Sequence, residues 1–221
     1  MLRLVLAVSL DGRLAPAAGG AAQLGGSGDR RALEEALAWA DGVLIGAETL
    51  RCHGSTCLIH AADLVAQRQQ RCQPPQPTTL VVSRSARFPA QMGFWQQPLQ
   101  RWLVAPDPVA LAAAAPSTPP VGFHRQLPLQ SWPQLLAALA GEGLERLVLL
   151  GGAALAGSLL AEGLVDELQL TLCPLLLGGT HSWLPATPLL PRPFTAAGGW
   201  QLVEQRPLGG DELLLRYRRR V

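Results

Sequence analysis

Brief apolar runs recur along this chain with helix-period segments between them, and that alternation limits its fold more than any other feature of the 221 residues. Leu2 to Val8, Gly42 to Gly46, Thr78 to Ser83, Arg101 to Ala105, Arg146 to Leu150 and Val165 to Cys173 read as strands, short and rich in leucine and valine. Between them, Leu33, Ala36, Leu37 and Ala40 lie at helical spacing behind a cap at Ser27 or Asp29. Further helices are expected over Ala61 to Arg71, from Asp107-Pro108 to Pro116, from Ser131-Trp132-Pro133 to about Ala140, and over Ala153 to Glu162. Val121 to His124 reads as another strand, and Trp200 to Gln205 with Glu212 to Arg218 as a closing antiparallel pair. The expected fold is α/β, with a mostly parallel sheet, helices on both faces and an antiparallel C-terminal edge. The proline-rich stretches at 74–77, 116–120 and 185–193 suit loops, so residues 1–221 are read as a single domain.

Composition removes several classes. With 48% hydrophobic residues the chain has enough side chain for a core, which excludes disorder. The 23 glycines and 19 prolines follow no short period, which excludes collagen. No apolar run reaches the roughly 18 residues of a membrane span. The first residues, Met1-Leu2-Arg3 and an apolar run to Leu10, have signal-peptide features. Ser9 inside the run and Asp11-Gly12-Arg13 behind it favour a core strand and a cytoplasmic protein. Formal charge is +2, without a lysine, and Arg216, Arg218, Arg219 and Arg220 crowd the end. Such a run can bind nucleic acid. A solvated final strand and tail is the favoured account, and neither nucleic acid nor membrane is expected as a partner.

Open α/β sheets bind ligands beyond the carboxyl ends of their strands, which selects four segments. They are Ala7 to Arg13, Gly46 to Arg51, Val82 to Ser85 and Leu150 to Leu155. Gly151-Gly152, between a buried strand and a helix, lets the chain approach a pyrophosphate whose charge the helix N-terminus stabilises; a tight turn is the simpler reading. Neither a GxGxxG fingerprint nor a Walker loop is present. Ser83-Arg84-Ser85 sets a guanidinium between two hydroxyls, suited to the 2′-phosphate of NADPH, or forms only a polar turn. Asp11 is a candidate to orient substrate or relay a proton, and equally a turn cap. Asp166 and Glu167, at a helix-to-strand connection, suit structure or subunit contact. Cys52, His53, Cys57 and His60 have zinc-ligand types but not the paired C-x2-C spacing, so no metal is expected.

S-L-D-G-R at 9–13, G-A-E-T-L-R after the second strand, G-G-A-A-L-A-G-S-L-L-A-E-G-L-V-D-E-L at 151–168 and Pro174 to Gly179 resemble the reductase domain of the riboflavin-biosynthesis protein RibD. The resemblance spans most of the chain and is weak between about 60 and 145. It implies a dihydrofolate-reductase-like three-layer sandwich, a homodimer paired through a sheet edge, and NADPH as cofactor. It further implies hydride transfer to a phosphoribosylamino-pyrimidine, giving the ribitylamino product.

Carried over by position, the resemblance puts Ala7, Thr49, Ser83 and the turn from Gly152 through Ala153, Ala154 and Leu155 to Ser158 at the cofactor. His53 stands where the family has an acidic cofactor contact. Gly46, Gly151 and Arg84 join this set from their own chemistry. On the substrate side the family's A-D-[DN]-P-x-L-x-x-R is replaced by Cys52 to His60, its glutamate before the Gly pair by Leu150, and an arginine of the first helix by Ala38. Either Ser9, Arg13, Arg51, His53 and His60 hold the phosphorylated pyrimidine, or the substrate is another heterocycle or imine. A nucleotide-binding protein without turnover is the non-enzymatic alternative. The zinc deaminase half, with H-x-E and P-C-x-x-C, is absent.

Overall fold

A computed structural model describes residues 1–20, 24–105, 122–184 and 189–220. In chain order its elements are β1 (Leu2–Ser9), α1 (Ser27–Trp39), β2 (Gly42–Gly46), α2 (Ala47–His53), α3 (Ala62–Gln70), β3 (Thr78–Val82), β4 (Arg101–Ala105) and β5 (Arg125–Pro128). There follow α4 (Trp132–Gly141), β6 (Leu147–Leu149), α5 (Ala153–Ala161), β7 (Glu167–Cys173), α6 (Arg192–Thr195), β8 (Trp200–Gly209) and β9 (Glu212–Arg219). The chain forms two compact units, Met1–Ala36 with Val148–Val221, and Leu37–Leu147.

In the first unit β1 runs parallel to β7, from Arg3 opposite Glu167 to Ser9 opposite Cys173. Strand β9 is antiparallel to β7, and β8 is antiparallel to β9. The register lines up charges as well as leucines. Glu167, fully buried, accepts from Arg3 Nε at 2.8 Å and Arg218 Nε at 2.9 Å, with Arg216 Nη1 at 3.5 Å. Burial alone would raise the Glu167 carboxyl, but the guanidiniums, Arg3 first, hold it below its ordinary value. Arg216 also pairs with Glu204, and Arg219 donates to the Gly163 carbonyl and Asp166. The C-terminal arginines lie in the final strand, as expected, where Arg216, Arg218 and Arg219 are paired with carboxylates; Arg220 follows it. Asp166 accepts from the Leu2 N–H at 2.8 Å, joining the start of β1 to the approach to β7.

In the second unit β2, β3, β4 and β5 are all parallel, paired in that order. Its core gathers Ile45, Leu50, Val81, Phe94, Leu103 and Phe123, with Phe88 and Trp95 packed against it. Trp95 meets Phe123 edge-on at 5.3 Å and Phe88 at 6.0 Å. Fully burying each such side chain contributes roughly 1.5–3 kcal/mol. Arg68 on α3, only 1% exposed, donates to the carbonyls of Leu37, Ala38 and Ala40 at the end of α1 and to that of Pro74. Asp41 then accepts from the backbone and guanidinium of Arg146 at 2.8 and 2.7 Å.

The α/β class, the mostly parallel strands and the antiparallel C-terminal pair agree with expectation. Two local readings change. The strand expected at 121–124 is β5 at Arg125–Pro128, whose Arg125 lies over the Trp102 ring at 4.7 Å; pairing with β4, not apolar content, makes it a strand. The segment after β2 is helix α2 rather than a loop. The helix expected from Asp107 to Pro116 lies outside the described residues.

Candidate functional site

The end of β1 is a closed hydrogen-bonded turn. Ser9, fully buried, donates from Oγ to Asp11 at 2.5 Å and accepts from the Arg13 N–H at 2.9 Å. Asp11 also accepts from the N–H groups of Leu177 at 3.1 Å and Gly178 at 2.8 Å. These bonds, Ser9 first, lower its carboxyl to about 2. The carboxylate is ionised at neutral pH and holds the turn, the capping role that the sequence offers beside substrate orientation and proton relay. The Ser9 hydroxyl is engaged inside the same turn. Arg13 keeps its Nε without a hydrogen bond among the described residues, 3.7 Å from the Asp11 carboxylate.

Ala7, half-buried, pairs with Thr171 on β7. In the same unit, Gly151 turns the chain into α5 at φ +83°, where a Cβ would stand 3.2 Å from Leu6 Cδ2, so only glycine fits without strain. Gly152 is the N-cap of α5 and provides no side-chain cap. The first-turn N–H groups of a helix lack intrahelical partners, and here Ala153, Ala154 and Leu155 supply them. Ala154 is exposed, whereas Leu155 is buried. Ser158 donates back to the Leu155 carbonyl at 2.9 Å and so braces the helix from within.

The second unit carries the rest. Gly46 is the N-cap of α2, which buries Ala47 and Leu50 and ends at Gly54 in the left-handed conformation. Thr49 is half-buried, and His53 is exposed at the end of this helix. Ser83 is 3% exposed and accepts from the Ala86 N–H at 3.1 Å, while the Ser85 hydroxyl accepts from Arg51 at 3.2 Å. The two hydroxyls expected to face a phosphate therefore fold the loop, and the exposed Arg84 projects from it. Arg51, expected to meet substrate, is occupied by Glu48, Ser85 and the Arg87 carbonyl. Sequence reading missed Glu48; its i,i+3 spacing to Arg51 is the signal, legible once α2 is seen as helical.

His60, exposed, lies two residues before α3. None of the four cysteines is in a disulfide; Cys52, Cys57 and Cys72 are exposed and Cys173 is buried. Among the described residues no three His, Cys, Asp or Glu side chains gather to hold a metal ion.

Known structures share this fold. Dihydrofolate reductase from Enterococcus faecalis, solved in complex with NADP(H), aligns with all of this chain and 97% of its own at a TM-score of 0.53 and 15% identity, which defines a dihydrofolate-reductase-like α/β fold. RibD of Acinetobacter baumannii aligns at a TM-score of 0.74 and 25% identity over 99% of this chain, which spans 57% of that longer protein. A 2,5-diamino-6-ribosylamino-4(3H)-pyrimidinone 5′-phosphate reductase from Methanothermobacter thermautotrophicus is 28% identical over 183 residues, covering 78% of this chain and 77% of the relative. The family model of the RibD C-terminal domain matches residues 1–202, and the chain belongs to that family.

Proposed function

We propose that this chain is an NADPH-dependent reductase of the riboflavin pathway, reducing the ribosylamino group of a pyrimidine 5′-phosphate to ribitylamino. The observation that carries the reading is family membership over residues 1–202, and the named activity of the archaeal relative supports it. In this family a nicotinamide is the hydride source. That it is NADPH, that residues 1–221 act as one reductase domain, and that the protein is a cytoplasmic homodimer are parts of the same proposal.

The residues present fit the cofactor. Gly151 turns the chain into α5 and no side chain caps that helix, so the backbone at its start suits a pyrophosphate. The guanidinium of Arg84 is exposed and suits a 2′-phosphate. When bound, the reduced nicotinamide supplies a hydride to C1′ of the ring-opened imine, and a proton completes the secondary amine. The protein's contribution is to hold and orient. Arg13, whose guanidinium is paired with the Asp11 carboxylate at 3.7 Å, is the proposed ligand of the substrate phosphate, and Asp11, ionised at neutral pH, fixes the Leu177–Gly178 turn. Ala7, Thr49 and His53 complete the proposed cofactor contacts, and His60 the substrate contacts. The departure at Cys52–His60 favours a second reading, a reductase of the same fold acting on another heterocycle.

Thermal unfolding with NADPH and NADH tests binding; NADPH at 100 times Kd stabilises by about 2.7 kcal/mol, and no shift with either leaves a non-enzymatic fold. Turnover is tested on the diamino-pyrimidinone phosphate and on its deaminated counterpart. Ribityl product from either supports the proposal, and NADPH consumption without it from both overturns the substrate assignment. Arg84→Ala is expected to weaken NADPH by about 10–100-fold and spare NADH, as loss of a charged hydrogen bond implies. Equal weakening removes Arg84 from the role.

A further inference from the structure

Arg51 sits where a substrate ligand was expected, yet its donors are already engaged inside its own unit. Nη1 donates to Glu48 at 3.1 Å, Nη2 to Ser85 Oγ at 3.2 Å, and Nε and Nη2 reach the Arg87 carbonyl at 3.2 and 3.1 Å. The guanidinium also lies 5.1 Å from the centre of the Phe88 ring. These bonds fall on both sides of Ala86, which has φ +50°, a left-handed conformation that a non-glycine residue adopts only when its surroundings impose it. Ser83 Oγ holds the Ala86 N–H from a third direction. The loop from Ser83 to Phe88 is therefore strained at one residue and clamped around it. Arg84 is exposed and lies between the held residues Ser83 and Ser85.

The clamp has a rigid footing. Arg51 stands one residue after Leu50, which is fully buried, and Gly54 closes α2 by donating to the Leu50 carbonyl at 2.8 Å. Phe88 packs against Phe123 at 5.7 Å. A guanidinium held at both ends in this way transmits the position of the core to the loop.

We infer that Arg51 is a positioning residue that sets cofactor preference, by holding the Ser83–Phe88 loop in the conformation that presents Arg84 to the 2′-phosphate. This rests on the reading of Arg84 given above. Arg51 does not touch substrate; its influence on the reaction passes through the loop.

The test measures Kd for NADPH and for NADH in the full-length protein by calorimetry, with steady-state kinetics alongside. Arg51→Ala is expected to raise the NADPH Kd about tenfold while NADH changes little, as loss of a preorganised charged contact implies. Turnover at saturating NADPH and the KM for the pyrimidine are unchanged. In an Arg84→Ala background the Arg51→Ala change adds nothing to the NADPH-to-NADH ratio. Ala86→Gly, which adopts positive φ without strain, restores part of the lost preference. Glu48→Gln, a milder change at an exposed residue, moves the ratio the same way by a smaller factor. Trypsin cuts the Arg51→Ala protein faster after Arg84 and Arg87.

An unchanged ratio in Arg51→Ala beside a collapsed one in Arg84→Ala overturns this inference and leaves the Arg84 reading standing. A raised pyrimidine KM with an unchanged NADPH Kd overturns it in favour of a substrate ligand. If Arg51→Ala lowers the ratio and Arg84→Ala does not, the Arg84 reading fails and this inference, which rests on it, is overturned with it. If neither moves it, both fall.

Discussion

Ser9 and Asp11 are joined by a 2.5 Å hydrogen bond that turns the end of β1 back on itself and leaves the carboxylate facing the N–H groups of Leu177 and Gly178. Because these donors favour the ionised form, the Asp11 carboxyl lies at about 2 instead of 3.8. Its contribution to stability is complete above the ordinary value and is lost as pH falls from about 4 toward 2. Asp11→Asn turns an amide N–H₂ toward backbone donors. The variant is expected to be less stable than the parent at neutral pH and nearly equal to it at the acid end, as read by urea unfolding at each pH. A difference that does not shrink with acid would show that the carboxylate charge is not what the turn uses.

Arg68 tests how the end of α1 is held. Arg68→Met keeps most of the side-chain stem and removes the guanidinium, leaving the carbonyls of Leu37, Ala38, Ala40 and Pro74 short of a donor in a buried place. Unsatisfied buried groups cost about 1–3 kcal/mol each, and partial rehydration should leave a net loss of about 3 kcal/mol. Arg68→Lys, with a charge but no fork, should fall between the two. Chemical denaturation measures both, and a loss below about 1 kcal/mol would mean that water replaces the guanidinium with ease.

Glu167 is the anionic centre of the strand ladder in the first unit. Glu167→Gln leaves Arg3, Arg216 and Arg218 without their shared counter-charge and is expected to cost about 3 kcal/mol, as when one member of a buried ion pair is removed. Its lowered carboxyl adds stability above its ordinary value near 4.5 that disappears on acidification below it. The variant should therefore show a flatter stability profile between about pH 5 and 3. Equilibrium unfolding across that range is the measurement.

The four thiols should separate into two classes. Cys173 is buried, and burial, followed by the charges of Asp29 and Glu212, pushes it up to about 11, whereas Cys52, Cys57 and Cys72 are exposed. A chromogenic disulfide reagent is expected to titrate three thiols in the native protein and the fourth only after unfolding. Fast reaction of all four would place Cys173 within reach of solvent.

Sequence and structure agree best where burial alone makes the element. Strand β2 at Gly42–Gly46 and β4 at Arg101–Ala105 have the limits that their apolar runs suggest. Helix α4 starts behind Ser131, whose hydroxyl accepts from the Gln134 N–H as the Ser-x-Pro pattern implies. The short helix α2 was hidden because its two buried residues, Ala47 and Leu50, are too few for a periodic signal. Strand β5 was hidden because Arg125 and Gln126 are polar, and only β4 beside them turns that segment into a strand. At the candidate site, the residue types were visible in the sequence but their partners were not. Ser9 gave no sign that Asp11 and Arg13 would use up its hydroxyl, nor Arg51 that Arg87 would receive it.

By itself the sequence determined the alternation of strands and helices, the glycine turn into α5 and the family, because periodicity, backbone freedom and ordered motifs are properties of neighbouring residues. Tertiary structure decided which charged groups remain available. Hydrogen bonding saturates, and whether a carboxylate or guanidinium faces a ligand or a backbone carbonyl depends on chain segments far away in sequence. Asp11 meets Gly178 and Arg51 meets Arg87 only after folding brings those segments together.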